Sequence, residues 1–395
     1  MNGKRAAAAL VAVALVVVAF VVRGALDDDG SQAAPTTTVA ATPDGSGPIG
    51  TDATTPAEPE ATEPPTASSV VCITELASVC EAIGDAFPDL NVRVEAAGTT
   101  LDRLAALDDP AAAPIWVTAD PYPAMVDTAR RDADPIGYSG TPVGASALAV
   151  AVPKPRAAAT APATAAGTSV TPDTAADDTA ADDTAADDTG TEAGAPTGRA
   201  DVLASGCADD ALWACLGNHA GAAWTDLGGE ASWGAIRPSL GDVPDSALGL
   251  LSFAAAVSGY TGVASPTAFD WESDSTFVGW ARRLVRQSER APDTAGTPLR
   301  TMATRASALD VAATADFELA ALGTSGDRFE LVYPRPDMWL HAVVAAPAGV
   351  AAPADLAAIV TDALTAADWK PAAAATTPAP SAATMLALRA LWEAQ

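Results

Sequence analysis

Histidine is almost missing from this chain of 395 residues: His219 and His341 stand alone, beside four cysteines. A His/Cys metal centre therefore has few ligands to draw on, and a Ser or Cys nucleophile has little choice of base. Neither histidine belongs to a motif; His219 ends a helical pattern at Leu216-Gly-Asn-His and His341 opens a strand pattern. No phosphate-cradling glycine loop, His-Glu-x-x-His, Gly-x-Ser-x-Gly or Cys-x-x-Cys pattern occurs. Carboxylate pairs such as Asp102 with Asp108 and Asp242 with Asp245 are plentiful, but a chain with 50 acidic residues produces them without function. No catalysis is expected, and no cofactor or metal. Positive charge is scarce as well. With 21 Lys and Arg the formal net charge is −29, which leaves no basic face for nucleic acid and repels anionic lipid head groups.

What is present begins with a basic flank, Met-Asn-Gly-Lys-Arg, and an uninterrupted apolar run from Ala6 to Val22, closed by Arg23. Its length is at the short end of what spans a bilayer as a helix. A cleaved secretory signal would have a shorter core and an Ala-x-Ala site; the run is long, Val-rich and without that site. No cysteine follows it to carry a lipid. An uncleaved anchor over residues 1–23 is the favoured alternative, with Lys4 and Arg5 holding the N-terminus in the cytoplasm and the rest of the chain outside the cell membrane. Residues 24–69, rich in Asp, Thr, Pro, Ala and Ser, have too few large apolar groups to offset the entropy of ordering, and read as a disordered stalk.

The four cysteines suit that oxidising side. They fall in two local pairs, Cys72 with Cys80 and Cys207 with Cys215. Local spacing favours these two disulfides over the other pairings and over four buried thiols, although geometry can still forbid the first.

From Val70 strand and helix signals alternate: Val70–Thr74 strand, Glu75–Phe87 helix, Asn91–Glu95 strand, Thr99–Leu107 helix, Ile115–Thr118 strand. That βαβαβ order predicts an α/β fold on a parallel sheet, with ligands beyond the carboxyl ends of the strands. Thr74, Gly98, Thr99, Thr100, Thr118 and Asp120 lie at those ends. Ser146–Val152 reads as a further strand. Between 156 and 198 three tandem Thr-Ala-Ala-Asp-Asp copies carry only negative charge, so this stretch reads as a disordered acidic insertion. It lacks the glycine turn and terminal Glu of a calcium loop. Beyond it, Cys207–His219 reads as a helix, Ser275–Arg286 as another, Leu309–Ala313, Phe329–Tyr333 and His341–Ala345 as strands, and 353–367 and 381–393 as closing helices.

The most informative stretch runs from Trp233 to Val257: a short strand, a loop, then a helix. Asp242, Pro244, Asp245 and Ser246 are turn and N-cap types in front of Leu248, Leu250, Leu251, Phe253, Ala254 and Val257. Such a helix opens with free N–H groups and a hydroxyl beside them, which suits an acceptor on a polar ligand; simple capping by Asp245 and Ser246 is the plainer alternative.

Several phrases in this order resemble extracytoplasmic solute-binding proteins of the type II periplasmic-binding fold, in their actinobacterial branch. They are Ile115-Trp-Val-Thr-Ala-Asp, Ser146-Ala-Leu-Ala-Val-Ala-Val-Pro, Trp224-Thr-Asp-Leu-Gly-Gly, Trp233-Gly through Gly249-Leu-Leu, Leu331-Val-Tyr-Pro, Trp369-Lys-Pro-Ala and the terminal run from Pro380 to Glu393. The resemblance covers about residues 70–395 apart from the insertion. It implies two α/β lobes closing over a small polar solute, lobe one being 70–145 plus 331–395 and lobe two 146–330, with the chain crossing twice. The ligand contacts it implies are Thr74, Thr99, Thr100, Ser146, Asp245 and Ser246; the partner it implies is a membrane transporter. Asp242 and Asp245 depart from the small hydroxyls of many relatives and would repel a free oxyanion, so a cationic or neutral polar ligand is equally expected. The rival expectation is a surface interaction module that keeps the two-lobed fold without a ligand, its partner a surface protein.

Overall fold

The computed structural model describes residues 69–155, 198–207, 212–262, 274–288, 297–375 and 377–395. The anchor expected at 1–23, the stalk up to residue 68 and the insertion from 156 to 197 lie outside the described residues. Among the described residues no helix is long and apolar enough to cross a membrane.

The folded part opens in the expected βαβαβ order. Strand β1 (Ser69–Ile73) leads through a 3-10 turn (Thr74–Leu76) into α1 (Ala77–Ala86); then come β2 (Asn91–Glu95), α2 (Ala97–Ala105) and β3 (Ile115–Asp120). β1 lies between β2 and β3 and runs parallel to both. Val70, Val71, Cys72 and Ile73 are buried completely, as a central strand covered on both faces requires. After α3 (Tyr122–Ala129), the buried Arg130 donates to the carbonyl oxygens of Leu104 at 2.9 Å and Leu107 at 2.6 Å. One guanidinium thus satisfies carbonyls at the end of α2 and ties the two helices together.

Strand β4 (Ser139–Pro153) starts well before the expected Ser146. Its first part is not apolar enough to read as a strand alone; it is held by antiparallel pairing of Ser139–Ala147 with β8 (Trp339–Ala346). From Leu148 onward the same strand pairs with β6 (Val311–Ala315) and, from Val150, with β7 (Phe329–Val332). β4 therefore belongs to both halves of a sheet ordered β2-β1-β3-β8-β4-β6-β5, with β7 also on β4 and β5 (Pro238–Ser239) at the far edge.

Of the helix expected from Cys207 to His219, the structure shows α5 (Leu212–His219), and a separate helix, α4 (Arg199–Gly206), precedes it. Cys207 ends α4 in extended backbone, φ −118° and ψ 128°, and is disulfide-bonded to Cys215 on α5. Cys72 joins Cys80 in the same way, from β1 to α1. Cα separations of 5.9 and 5.6 Å suit a disulfide in both cases. Each closes a short loop, so Cys72→Ala/Cys80→Ala is expected to lower the unfolding free energy by about 2.5 kcal/mol, read from the midpoint of a denaturant titration with and without reductant.

Helix α6 (Ala247–Thr261) is buried on every face from Ala247 to Gly259, because it is enclosed by α5, α11 (Ala382–Glu393), β6 and β8. This explains an apolar run with no polar stripe. Phe253 of α6 meets Trp392 of α11 edge to face at 5.1 Å. Arg389 of α11 forms a bidentate pair with Asp102 of α2 at 2.6 and 2.7 Å, so the C-terminal helix fastens α6 to the first half of the sheet. Helices α7 (Ser275–Ser288), α8 (Pro298–Thr304), α9 (Asp316–Ala321) and α10 (Leu356–Ala366) complete the layers.

Candidate functional site

Three chain segments opening into helices meet where the two halves of the sheet face one another: the turn at Thr74, the start of α2 and the start of α6. Ser246 is the N-cap of α6, with extended backbone and an Oγ that accepts from Gly249 N at 2.9 Å. The same hydroxyl donates to Glu75 Oε1 at 2.7 Å, and Leu248 N donates to that oxygen at 3.1 Å. Thr74 Oγ1 donates to the other oxygen, Oε2, at 3.0 Å. The carboxylate at the positive end of α6 is thus Glu75, supplied from the far side of the interface. Beside it Gly98 N donates to the Asp245 carbonyl at 3.1 Å, and Thr99 Oγ1 to Asp245 Oδ1 at 3.2 Å. The contact is close enough that a Cβ on Gly98 would run into the carbonyl oxygen of Pro244. Tyr122 lies behind, fully buried, 3.5 Å from the Ser246 carbonyl; burial raises its phenol far above the ordinary value, so it stays a neutral donor.

Of the residues expected to touch a ligand, Thr74, Thr99, Asp245 and Ser246 come together here. The other two do not. Thr100 is buried and donates to Glu95 at 2.9 Å, away from this edge. Burial acts to raise the Glu95 carboxyl, but hydrogen bonds from Arg103 at 2.7 Å and Thr100 hold it below the usual range. Ser146, buried within β4, accepts from Phe317 N at 3.3 Å and so holds the first turn of α9. At the end of β3, Thr118 is buried with no hydrogen-bond partner among the described residues, and burial raises the Asp120 carboxyl while His341 opposite it acts to lower it.

A cavity of about 340 Å³ opens on the other side of Glu75. One wall is the segment from Thr74 to Val79 and the end of α10 from Ala366 to Trp369; the facing wall is Arg300 on α8 with Phe317, Ala320 and Ala321 on α9. Phe317 and Trp369 stack at 4.7 Å with 26° between their planes, making an aromatic contact across the two halves. The charged lining residues are Glu75, Arg300 and Asp368. Asp368 has φ +61°, the left-handed region. It occupies the position just past α10 that helices usually give to glycine: Trp369 N donates to Leu364 O at 3.0 Å and Asp368 N to Thr365 O at 3.2 Å, a Schellman closure.

Glu75, Arg300, Phe317 and the adjacent pair Asp368 and Trp369 were not legible as site residues, since they come from separate segments of the chain. Two weak signals existed: Glu75 follows a strand end directly, and Ala-Ala-Asp-Trp puts Asp where a helix stop would ordinarily show Gly.

No family model matches the chain, and no curated protein matches it. Solved structures do. A periplasmic thiamin binding protein superposes with a TM-score of 0.42 at 12% identity, over 84% of this chain and 96% of that one. Iron-bound HitA from Pseudomonas aeruginosa gives 0.42 at 11%, over 83% and 99%. The sulfate-binding protein SubI from Mycobacterium tuberculosis H37Rv gives 0.38 at 14%, over 80% and 92%. The described residues form a mixed α/β architecture, and no residue role passes from these proteins to this chain.

Proposed function

We propose that this chain is an extracytoplasmic solute-binding protein whose lobes, 70–145 with 331–395 and 146–330, close over a small polar solute in the cavity between Glu75, Arg300, Phe317 and Trp369. The observation that carries this is a cavity of about 340 Å³ walled from both sides of the crossing strand, with aromatic and charged groups converging on it. Such a mixture of apolar wall and few polar groups is what a small-molecule site needs. In this proposal residues 1–23 anchor the protein in the cell membrane, the stalk carries the binding lobes outside, and the solute is passed to a membrane transporter. Thr74, Thr99, Asp245 and Ser246 then serve as the clasp that joins the lobes around Glu75. Binding is non-covalent and no catalytic step is assigned.

A second reading has its own observation. The N-terminus of α6 is already filled by the Glu75 carboxylate, and Asp245 is already bonded to Gly98 and Thr99. A lobe contact satisfied by the protein's own groups favours a surface module held shut.

The two are separated by native mass spectrometry of the purified full-length chain followed by thermal unfolding against sugars, amino acids, polyamines, oxyanions and metal ions. A ligand of the folded state raises the midpoint with concentration, by an amount corresponding to about 2.7 kcal/mol at a hundredfold excess over its dissociation constant. Ala320→Trp places a large ring in the cavity from an exposed helix position. It is expected to abolish the shift without lowering the ligand-free midpoint. A shift indifferent to Ala320→Trp would move the site elsewhere, and no bound mass with no shift across the panel would favour the closed module.

A further inference from the structure

Glu318, in the first turn of α9 and next in sequence to the cavity-lining Phe317, is a buried carboxyl without a cation: no ion pair to it is present among the described residues. Its partners are hydroxyls. Thr314 Oγ1 donates to Oε2 at 2.7 Å, and the Thr297 side chain hydrogen-bonds the same carboxyl. Thr297 is the N-cap of α8 and Thr314 lies on β6, so one carboxyl joins the start of α8 to β6 and α9. Two hydroxyls satisfy a neutral carboxyl, but they do not offset the desolvation of an ionised one. Burial accordingly pushes it up to about 7, against the lowering by Thr314 and Thr297.

Few ionisable groups face it. β4 and β6 carry none. Arg300 on α8 favours its charged form and Glu75 disfavours it, both through space. On α9 Asp316 accepts from Tyr333, and in the turn that follows Asp327 and Arg328 are exposed, with Arg328 donating to the Ser325 and Ala303 carbonyls.

The two helices that meet at Glu318 are not equally held. α9 is pinned independently, since Phe317 N donates to Ser146 Oγ of β4 at 3.3 Å. α8 is short, and its buried side chains Leu299 and Met302 pack with Ala151, Leu309, Ala312 and Phe329 in a small cluster apart from the main core. A short helix on a satellite cluster is the kind of element that opens below the free energy of global unfolding.

We propose that Glu318 is a proton-operated latch for α8: with its proton it binds the Thr297 cap and keeps α8, with Arg300, against the cavity, and on losing that proton it releases α8 and opens that side. This goes beyond the solute-binding reading and holds whatever the cavity contains. Closed, the carboxyl titrates near 7; opened to water it returns to its ordinary 4.5, so opening releases a proton between those values. Each pH unit gained in that window multiplies the open population about tenfold, and the population is level below it and above it.

The test is hydrogen exchange by mass spectrometry on the full-length chain from pH 4 to 8, corrected for the chemical exchange rate of unprotected amides. In the native protein the amides of residues 301–305 are expected to exchange at least about a hundredfold faster than those of β1 at pH 7, through local opening. Their protection should fall by about two orders of magnitude between pH 4.5 and 7 and then level off. Glu318→Gln and Glu318→Met, which keep the length without the charge, should each hold α8 protection flat across the range; Met covers the case in which Gln does not fold. Protection of α8 equal to that of β1 at every pH would mean that α8 leaves only in global unfolding, and overturns the latch. A flat profile in the native protein, or the same fall in a folded Glu318 variant, overturns it as well.

Discussion

Gly98→Ala is expected to destabilise the protein by about 1–3 kcal/mol, although the residue lies in the first turn of a helix. Helix propensity alone predicts the opposite sign, a gain of up to about 1 kcal/mol for replacing Gly by Ala. The tertiary contact decides. An added methyl meets the Pro244 carbonyl and the Asp245 Cα, which are backbone and cannot swing aside as a flexible side chain does. Either the clash is borne, or the start of α2 and the loop before α6 part and lose the Gly98–Asp245, Thr99–Asp245 and Ser246–Glu75 bonds together. Chemical unfolding gives the sign, and a larger radius of gyration in X-ray scattering identifies parting of this contact. An unchanged or raised stability would show that this contact is not held in solution.

Glu318→Gln is expected to make the protein more stable by up to about 3 kcal/mol at pH 8 and to leave it unchanged near pH 4. Glu318 is buried on α9. Burial pushes its carboxyl up to about 7 from an ordinary 4.5, while hydrogen bonds from Thr314, at 2.7 Å, and Thr297 act to lower it. Because the folded value lies above the unfolded one, the folded state holds this proton over the window from pH 4.5 to about 7. Its contribution to stability is complete below pH 4.5 and is lost as the pH rises through about 7. The amide keeps a group that can bond both hydroxyls and has no charge to desolvate. Denaturant midpoints of the two proteins measured from pH 4 to 8 should therefore diverge on the alkaline side. Parallel curves would mean that Glu318 titrates as an ordinary carboxylate.

Much of the fold was readable along the chain. The βαβαβ opening, the two local disulfides, and the Ser246 cap in front of an apolar helix depend on neighbours within a few residues: β-branched runs, eight-residue cysteine separations and N-cap chemistry. Where the sequence reading departed from the structure, a distant partner had intervened. Ser139–Pro142 becomes strand because β8 supplies the ladder, from Ser139 paired with Ala346 to Pro142 paired with Val343, far along the chain. Asp242 and Asp245 are the carboxylates that precede α6 in sequence, yet Leu248 N in its first turn donates to Glu75, at a sequence separation of 173.

The candidate site divides in the same way. The sequence by itself determined that a hydroxyl-lined strand edge and a capped helix would exist, because local backbone chemistry makes them. Only the tertiary structure decided that Thr100 and Ser146 turn to Glu95 and Phe317, and that Arg300, Phe317, Asp368 and Trp369 share a cavity. Those groups belong to α8, the start of α9 and the end of α10, and no periodicity relates them. Their meeting is fixed by β4 crossing from one half of the sheet to the other, since the helices on either side of that crossing then face each other across it.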